Sequence, residues 1–334
     1  MIKRTVSFSK QSINVFFHIL TKCNLRCTHC YINPDEHGTR TLSIEVIENW
    51  LEAFMEKSPY ANVIFLGGEP TLHPDLPRAI QKARAMGYKS ITVDTNGFLF
   101  HDFLEKVLPS ELDFLSFSLD GATEKTNDGI RGQGVYQTCI NGIQKAVSLG
   151  FHTSLIYTVS RTNIHELSLM PPLLAKWGVK RFFIQVIGLR GNSGKINADD
   201  VQVSRKEWLE QIPEVALDAA NRGIITTYPK VFLSPEEPFA CAGLVADNYF
   251  IFPNGRVYKC PLCEDFPIHG FTFTENALVR TPKINEMDLF ELTIPEGCVM
   301  NKLIQPDNLV YRPDGTPAYK IACCMLKDEI DPAI

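Results

Sequence analysis

Between residue 14 and about residue 190, short apolar runs alternate with longer amphipathic stretches, and this alternation restricts the fold more than any other feature of the chain. Strands are expected at 14–21, 62–66, 90–94, 113–119, 153–159 and 181–187. Between them, helices are expected at about 43–58, 75–87, 101–108, 135–149 and 164–177, with one more at about 203–222. Ser43 with Glu45 and Glu48 reads as an acidic helix start, while Gly87, Gly150 and Gly178 each follow a helix and precede a strand. Parallel neighbours in a sheet need such crossovers, so the pattern predicts an α/β chain built on a parallel sheet. Six strand–helix units, against the eight of a closed barrel, suggest a partial (β/α)6 TIM-like barrel. Periodicity alone leaves an open doubly wound sheet as the alternative.

After Tyr228-Pro229 the alternation stops, and the chain turns to Pro, Cys and short strand signals. The run 248–252, the turn Pro253-Asn254-Gly255-Arg256 and the run 257–259 together predict a hairpin, because Asn-Gly supplies the backbone conformation a tight turn needs. A boundary near residue 230 is therefore expected, with a first domain over 1–230 and a small α+β domain over 231–334. Lys and Arg total 33 against 38 Asp and Glu, a net charge of −5, which disfavours a general polyanion surface, so no nucleic-acid partner is expected. No run of about 18 apolar residues is present and the first residues lack the apolar core of an export signal. No membrane association is expected, and the location is expected to be cytoplasmic.

Ten cysteines without an export signal point to metal or redox chemistry rather than a disulfide framework. Cys139, alone in a helical stretch, is expected to be plain core. Cys23, Cys27 and Cys30 instead share the segment Thr21 to Tyr31 at the carboxyl end of the first strand. Three thiolates there could wrap one centre. A zinc knuckle with His29 as fourth ligand is one solution. An iron–sulfur cube that keeps one iron open is the other. The second strand ends in Gly67-Gly68-Glu69-Pro70, where glycines allow close backbone approach and Glu69 could accept a hydrogen bond from an ammonium group.

Taken together, CX3CX2C and Gly-Gly-Glu one strand later resemble the radical S-adenosylmethionine (radical SAM) enzymes over roughly residues 14–190. The resemblance implies that Cys23, Cys27 and Cys30 hold a [4Fe–4S] cluster whose open iron takes SAM. It also places Tyr31 near the adenine and Gly67, Gly68 and Glu69 at the methionyl amino group. Asn96 in Thr95-Asn96-Gly97, Ser118 and Arg131 are further candidate SAM contacts, weighed against a plain turn, a turn-capping Ser and a surface Arg. Cys241, the GX4C element from Gly255 to Cys260, Cys263, Cys298, Cys323 and Cys324 resemble the auxiliary-cluster modules called SPASM and twitch. The counterpart of the module's CX2C unit is Cys298-Val299-Met300-Asn301, where Asn301 replaces the second cysteine, and this favours a single auxiliary [4Fe–4S] cluster.

Its ligands are expected from Cys241, Cys260, Cys298 and one of Cys323 and Cys324, with Cys263 as a competitor. Neighbours on an extended chain point apart, so Cys323 and Cys324 are not both expected on one cluster. A zinc site on Cys260-Pro261-Leu262-Cys263 is the alternative. The resemblance implies an enzyme that cleaves SAM to a 5′-deoxyadenosyl radical and modifies a peptide or protein side chain. The alternative is a dehydrogenase, epimerase or decarboxylase of a small metabolite, and a non-SAM scaffold is the third reading. About a dozen residues before the first strand are too few for a leader-binding winged-helix domain, and Asp331-Pro332-Ala333-Ile334 is not the Gly-Gly tail of molybdenum-cofactor cyclisation. The chemistry implies an external one-electron donor such as flavodoxin or ferredoxin. Asp94, Asp120 and Gln185 are candidate proton or hydrogen handlers.

Overall fold

The computed structural model describes residues 2–304 and 309–332; Ala333 and Ile334 of the C-terminal tetrapeptide lie outside them. Its strands are β1 (Ile2–Val6), β2 (Ile13–His18), β3 (Ala61–Leu66), β4 (Ser90–Thr95), β5 (Phe114–Ser118), β6 (Thr153–Val159), β7 (Arg181–Val186) and β8 (Ile225–Pro229). There follow β9 (Phe232–Leu233), β10 (Asp247–Ile251), β11 (Arg256–Tyr258), β12 (Phe271–Thr274), β13 (Ala277–Arg280), β14 (Lys320–Ile321) and β15 (Lys327–Asp331). Strands β2 to β8 pair parallel in chain order. Outside β2 lies β10, also parallel; outside β8 lies β15, antiparallel, with β1 antiparallel beyond it. The sheet runs from β1 at one edge to β13 at the other, an incomplete barrel, with β9 and β14 as a separate pair.

Burial alternates along the barrel strands: β3 reads buried, half-buried in strict turn, and so does β6. The buried set packs on helices, while the other set faces the barrel interior. The helix Ile44–Lys57 shows why the outer layer forms. Ser43 Oγ accepts from the Val46 N–H, and Ile47, Trp50, Leu51 and Phe54 make one buried stripe at helical spacing. Among the described residues, no helix is long and apolar enough to cross a membrane.

The structure departs from expectation at several elements. The helix expected over 101–108 shrinks to Phe103–Lys106, because Leu99, His101 and Asp102 take positive φ and break the regular chain. An additional helix, Glu124–Arg131, starts at Thr123, whose hydroxyl accepts from the Thr126 N–H. The seventh parallel strand β8 extends the six expected. The expected hairpin forms between β10 and β11, with Gly255 at φ +89° and β11 ending at Tyr258. Strands from both sides of residue 230 share the one sheet.

Candidate active site in the barrel mouth

The cysteine loop leaves the carboxyl end of β2 and is held by two other strand ends. Backbone N–H groups of Gly68 and Glu69 donate to the Leu20 and Lys22 carbonyls, both at 3.0 Å. A Cβ on Gly67 would sit 2.3 Å from the Leu20 carbonyl oxygen, and one on Gly68 would sit 2.3 Å from that of Lys22. The close approach these glycines make is thus to the loop's own backbone. From the other side, the Asn192 N–H donates to the Cys30 carbonyl at 2.8 Å and Asn192 Nδ2 to that of Cys27 at 3.1 Å.

Glu69 is fully buried. Its Oε1 accepts from the Thr71 N–H, Thr71 Oγ1 and Thr95 Oγ1, and its Oε2 from the Asn96 N–H at 2.7 Å. Burial raises its pKa, against those four donors. Asn96 Nδ2 donates to Asn24 Oδ1 at 2.8 Å and approaches Cys23 Sγ at 3.8 Å, so Asn96 serves both its turn and the cysteine loop. Burial pushes the Cys23 thiol up to about 11 and raises those of Cys27 and Cys30; thiols in such a place become thiolates when they bind a cation.

Arg131 is buried, which overturns the surface-arginine alternative. Its Nη2 lies 2.6 Å from Asp120 Oδ2, and His29 Nε2 lies 3.1 Å from the same oxygen. Asp120 Oδ1 accepts from the Thr158 N–H at 2.7 Å. Burial works to raise the Asp120 pKa, but Arg131, His29 and the Thr158 N–H outweigh it and hold the carboxyl at about 2. His29 Nε2 is therefore committed to a carboxylate, and only Nδ1 is left to meet another group. The buried His29 Nδ1 and Arg131 Nε have no hydrogen-bond partner among the described residues.

Tyr31 is anchored by residues that the motif does not announce. Its hydroxyl donates to His18 Nε2 at 2.7 Å, because His18 Nδ1–H is spent on the Ile251 carbonyl at 2.8 Å. Burial, with His37 nearby, lowers His18 to about 3, so the ring stays neutral. The His18 ring stacks on Phe252 at 4.2 Å, and His37 stacks on Phe252 at 3.8 Å. Arg190 lies 4.8 Å from the Tyr31 ring centre and 2.6 Å from Glu264 Oε2. The segment Gly188-Leu189-Arg190-Gly191-Asn192, glycine-containing and at a strand end, was the available signal for this clamp.

A cavity of about 320 Å³ fills the barrel mouth, and Cys23, Cys27, Cys30, Tyr31, Gly67, Gly68, Glu69, Asn96, Ser118 and Arg131 all line it, together with Asp94 and Gln185. Asp120 is not part of that wall but lies behind Arg131 and His29. Cys139 is fully buried in the core, its Cα where a Gly97 side chain would have to go. A second, smaller cavity is lined by Cys241, Cys260, Cys263, Cys298, Cys323 and Cys324 within an apolar shell that includes Phe239, Phe290 and Met300. Contrary to expectation, Cys323 and Cys324 face the same space. The chain turns there, with the Leu326 N–H on the Cys323 carbonyl at 2.9 Å, so the alternation of an extended strand does not apply. Asn301 turns away to donate to the Cys298 carbonyl at 2.7 Å. Pro261, Leu262, Cys324 and Met325 line both cavities and form the wall between them. Among the described residues, no three His, Cys, Asp or Glu side chains close on a single ion. A cube spreads its ligands over separate irons and asks for a wider frame.

Fold and site together define a partial-barrel enzyme with a three-thiol loop at its mouth. Residues 18–170 match the family described as the Radical SAM superfamily. A probable GTP 3′,8-cyclase of Saccharolobus islandicus is 31% identical over 260 residues, 73% of this chain and 80% of that protein. The Fe-coproporphyrin III synthase of Methanosarcina barkeri is 28% identical over 195 residues, 57% of this chain; the match spans only about half, 47%, of that relative. Among solved structures, SuiB of Streptococcus suis bound to its precursor peptide SuiA superposes with a TM-score of 0.65 at 13% identity, covering 88% of this chain and 71% of SuiB. The chain belongs to the radical SAM superfamily, whose enzymes use a [4Fe–4S] cluster and S-adenosylmethionine. The donor set fits both groups: three neighbouring thiols for the cluster, and Arg131 Nε and His29 Nδ1 as unpaired buried groups on one side of the barrel cavity.

Proposed function

We propose that the chain modifies a side chain of a peptide or protein, with Cys23, Cys27 and Cys30 holding the cluster. When bound, cluster and SAM together supply a carbon-centred radical able to abstract hydrogen from an unactivated position. The chain's own residues orient and shield. Glu69 would accept from the methionyl ammonium through a lone pair of Oε2, and Gly67 and Gly68 bring that strand end against the cysteine loop. Arg131 and Ser118 would bind the ribose or carboxylate, Asn96 steadies the loop beside Cys23, and Tyr31, fixed by His18, would lie near the adenine. The thiols of Cys241, Cys260, Cys298 and one of Cys323 and Cys324, with Cys263 as competitor, suit an auxiliary [4Fe–4S] cluster. We place these ligands in a unit over 231–334 beside a barrel unit over 1–230.

The observation that carries the peptide reading is the charge of the cavity wall. Its lysine and arginine side chains are Arg131, Arg190 and Lys327, and the two arginines are already paired with Asp120 and Glu264. A triphosphate needs several free cations, whereas a mainly apolar cavity with one lysine suits an amino-acid side chain. The fold shared with SuiB, solved with its precursor peptide, supports the same reading. Sequence likeness to the cyclase supports the second reading, a small-metabolite substrate. A cytoplasmic location and a flavodoxin- or ferredoxin-type donor accompany both. Anaerobic reconstitution followed by dithionite and SAM is expected to release 5′-deoxyadenosine, and its absence would refute the enzyme. Mass measurement of peptides encoded by neighbouring genes then separates the readings: an altered peptide mass supports the first, and turnover only with small metabolites overturns it.

A further inference from the structure

The motif residues account for one half of the barrel cavity. Glu69, Asn96, Ser118 and Arg131 come from β3 to β5 and the helix after β5, whereas the opposite wall comes from β6, β7 and β15. Thr158, Phe183, Gln185 and Lys327 face the cavity there. Thr158 and Gln185 are register neighbours, and Lys327 is opposite Pro229 at the carboxyl end of β8, so all three stand at the rim level. Lys327 Nζ lies 4.1 Å from the centre of the Phe183 ring. Among the described residues no carboxylate comes within ion-pair distance of it, although Asp94 and Cys324 act on it through space. Gln185 Oε1 accepts from the Val186 N–H at 3.1 Å, which leaves the amide NH2 for other partners.

Lys327 is half-buried, and an ammonium drawn partly out of water is costly unless an opposite charge is supplied. Burial draws Lys327 down to about 8, and Asp94, raised by its own burial to about 7, is too distant to pair with it. Aromatic stacking offsets only part of the desolvation. We propose that Lys327 and Gln185 form a subsite for a substrate carboxylate. A monoanion suits one ammonium and one amide, while a phosphate dianion would have only a single cation to balance two charges. This inference deepens the proposed function and rests on it for the identity of the cavity: the group held would be an acidic side chain or terminus of the peptide.

The test uses the reconstituted full chain with SAM bound. Lysines are acetylated with acetic anhydride and quantified by mass spectrometry, with exposed Lys176 as reference. The probes are N-acetyl-glutamate amide, its isostere N-acetyl-glutamine amide, and phenyl phosphate. The glutamate probe is expected to slow Lys327 acetylation about tenfold relative to the glutamine probe, the order expected for a charge-assisted hydrogen bond. Equal protection by both amides, no protection, or best protection by phenyl phosphate would overturn the subsite. In Lys327→Met, the larger thermal shift given by the glutamate probe is expected to vanish; its persistence would also overturn it. Release of 5′-deoxyadenosine is measured in the same preparation. Cleavage of SAM without protection sinks the subsite alone, and protection without cleavage sinks the proposed function alone.

Discussion

Single residues decide whether the cysteine loop can form. Gly68→Ala would push a methyl to 2.3 Å from the Lys22 carbonyl, a contact only backbone movement can relieve, at a cost of about 1–3 kcal/mol. The expected outcome is a lower melting temperature and iron bound below the wild-type amount after reconstitution; wild-type iron content would count against the brace. Asp120 gives a pH signature. Its folded value of about 2 lies below that of a free carboxyl, so its contribution is complete above about pH 4 and is lost as pH falls through 2. Asp120→Asn should cost about 3–5 kcal/mol at neutral pH by stranding Arg131, and its acid unfolding curve should be flatter than wild type between about pH 4 and 2. Parallel curves would refute the pairing. The thiols and Gly-Gly-Glu were legible because their chemistry is carried by spacing within one loop. Tyr31 on His18 and Asp120 under Arg131 were not, since each contact exists only once strands have closed side by side.

Elements were legible where burial imposed a period. The strands at 153–159 and 62–66 alternate in and out, and the helix at 44–57 carries one apolar stripe, so their sequences had to show it. Strand β1 has all five residues exposed and no pattern to read; it exists because β15 offers it hydrogen bonds. Strand β8, by contrast, follows the helix expected at about 203–222 and starts with alternating burial, so its sequence carried a signal that the count of six left out. At this scale the ring stack of His18, Phe252 and His37 joins β2, the hairpin loop and the short helix Pro34–His37. Phe252 is fully buried, and Phe252→Ala should cost about 3–5 kcal/mol in chemical denaturation. A loss below about 1 kcal/mol would show that the stack is not what joins these elements.

For the whole molecule, the sheet matters more than the boundary near residue 230. Strand β10 pairs along β2 from Asp247 to Ile251, and β15 pairs along β8 from Lys327 to Ile330. A fragment of residues 1–230 would therefore expose both flanks of the parallel sheet and is expected to aggregate without a cooperative melt. A soluble fragment with a sharp thermal transition would establish an autonomous barrel unit. The pairing of β1 with β15, from Ile2 opposite Asp331 to Val6 opposite Lys327, carries a further consequence. The partners lie about 320 positions apart in sequence, so closing this pair carries the loop-closure entropy of nearly all the sheet between them. This outer pair is expected to be the last part of the sheet to order, so hydrogen exchange during refolding should show residues 2–6 gaining protection after the parallel strands.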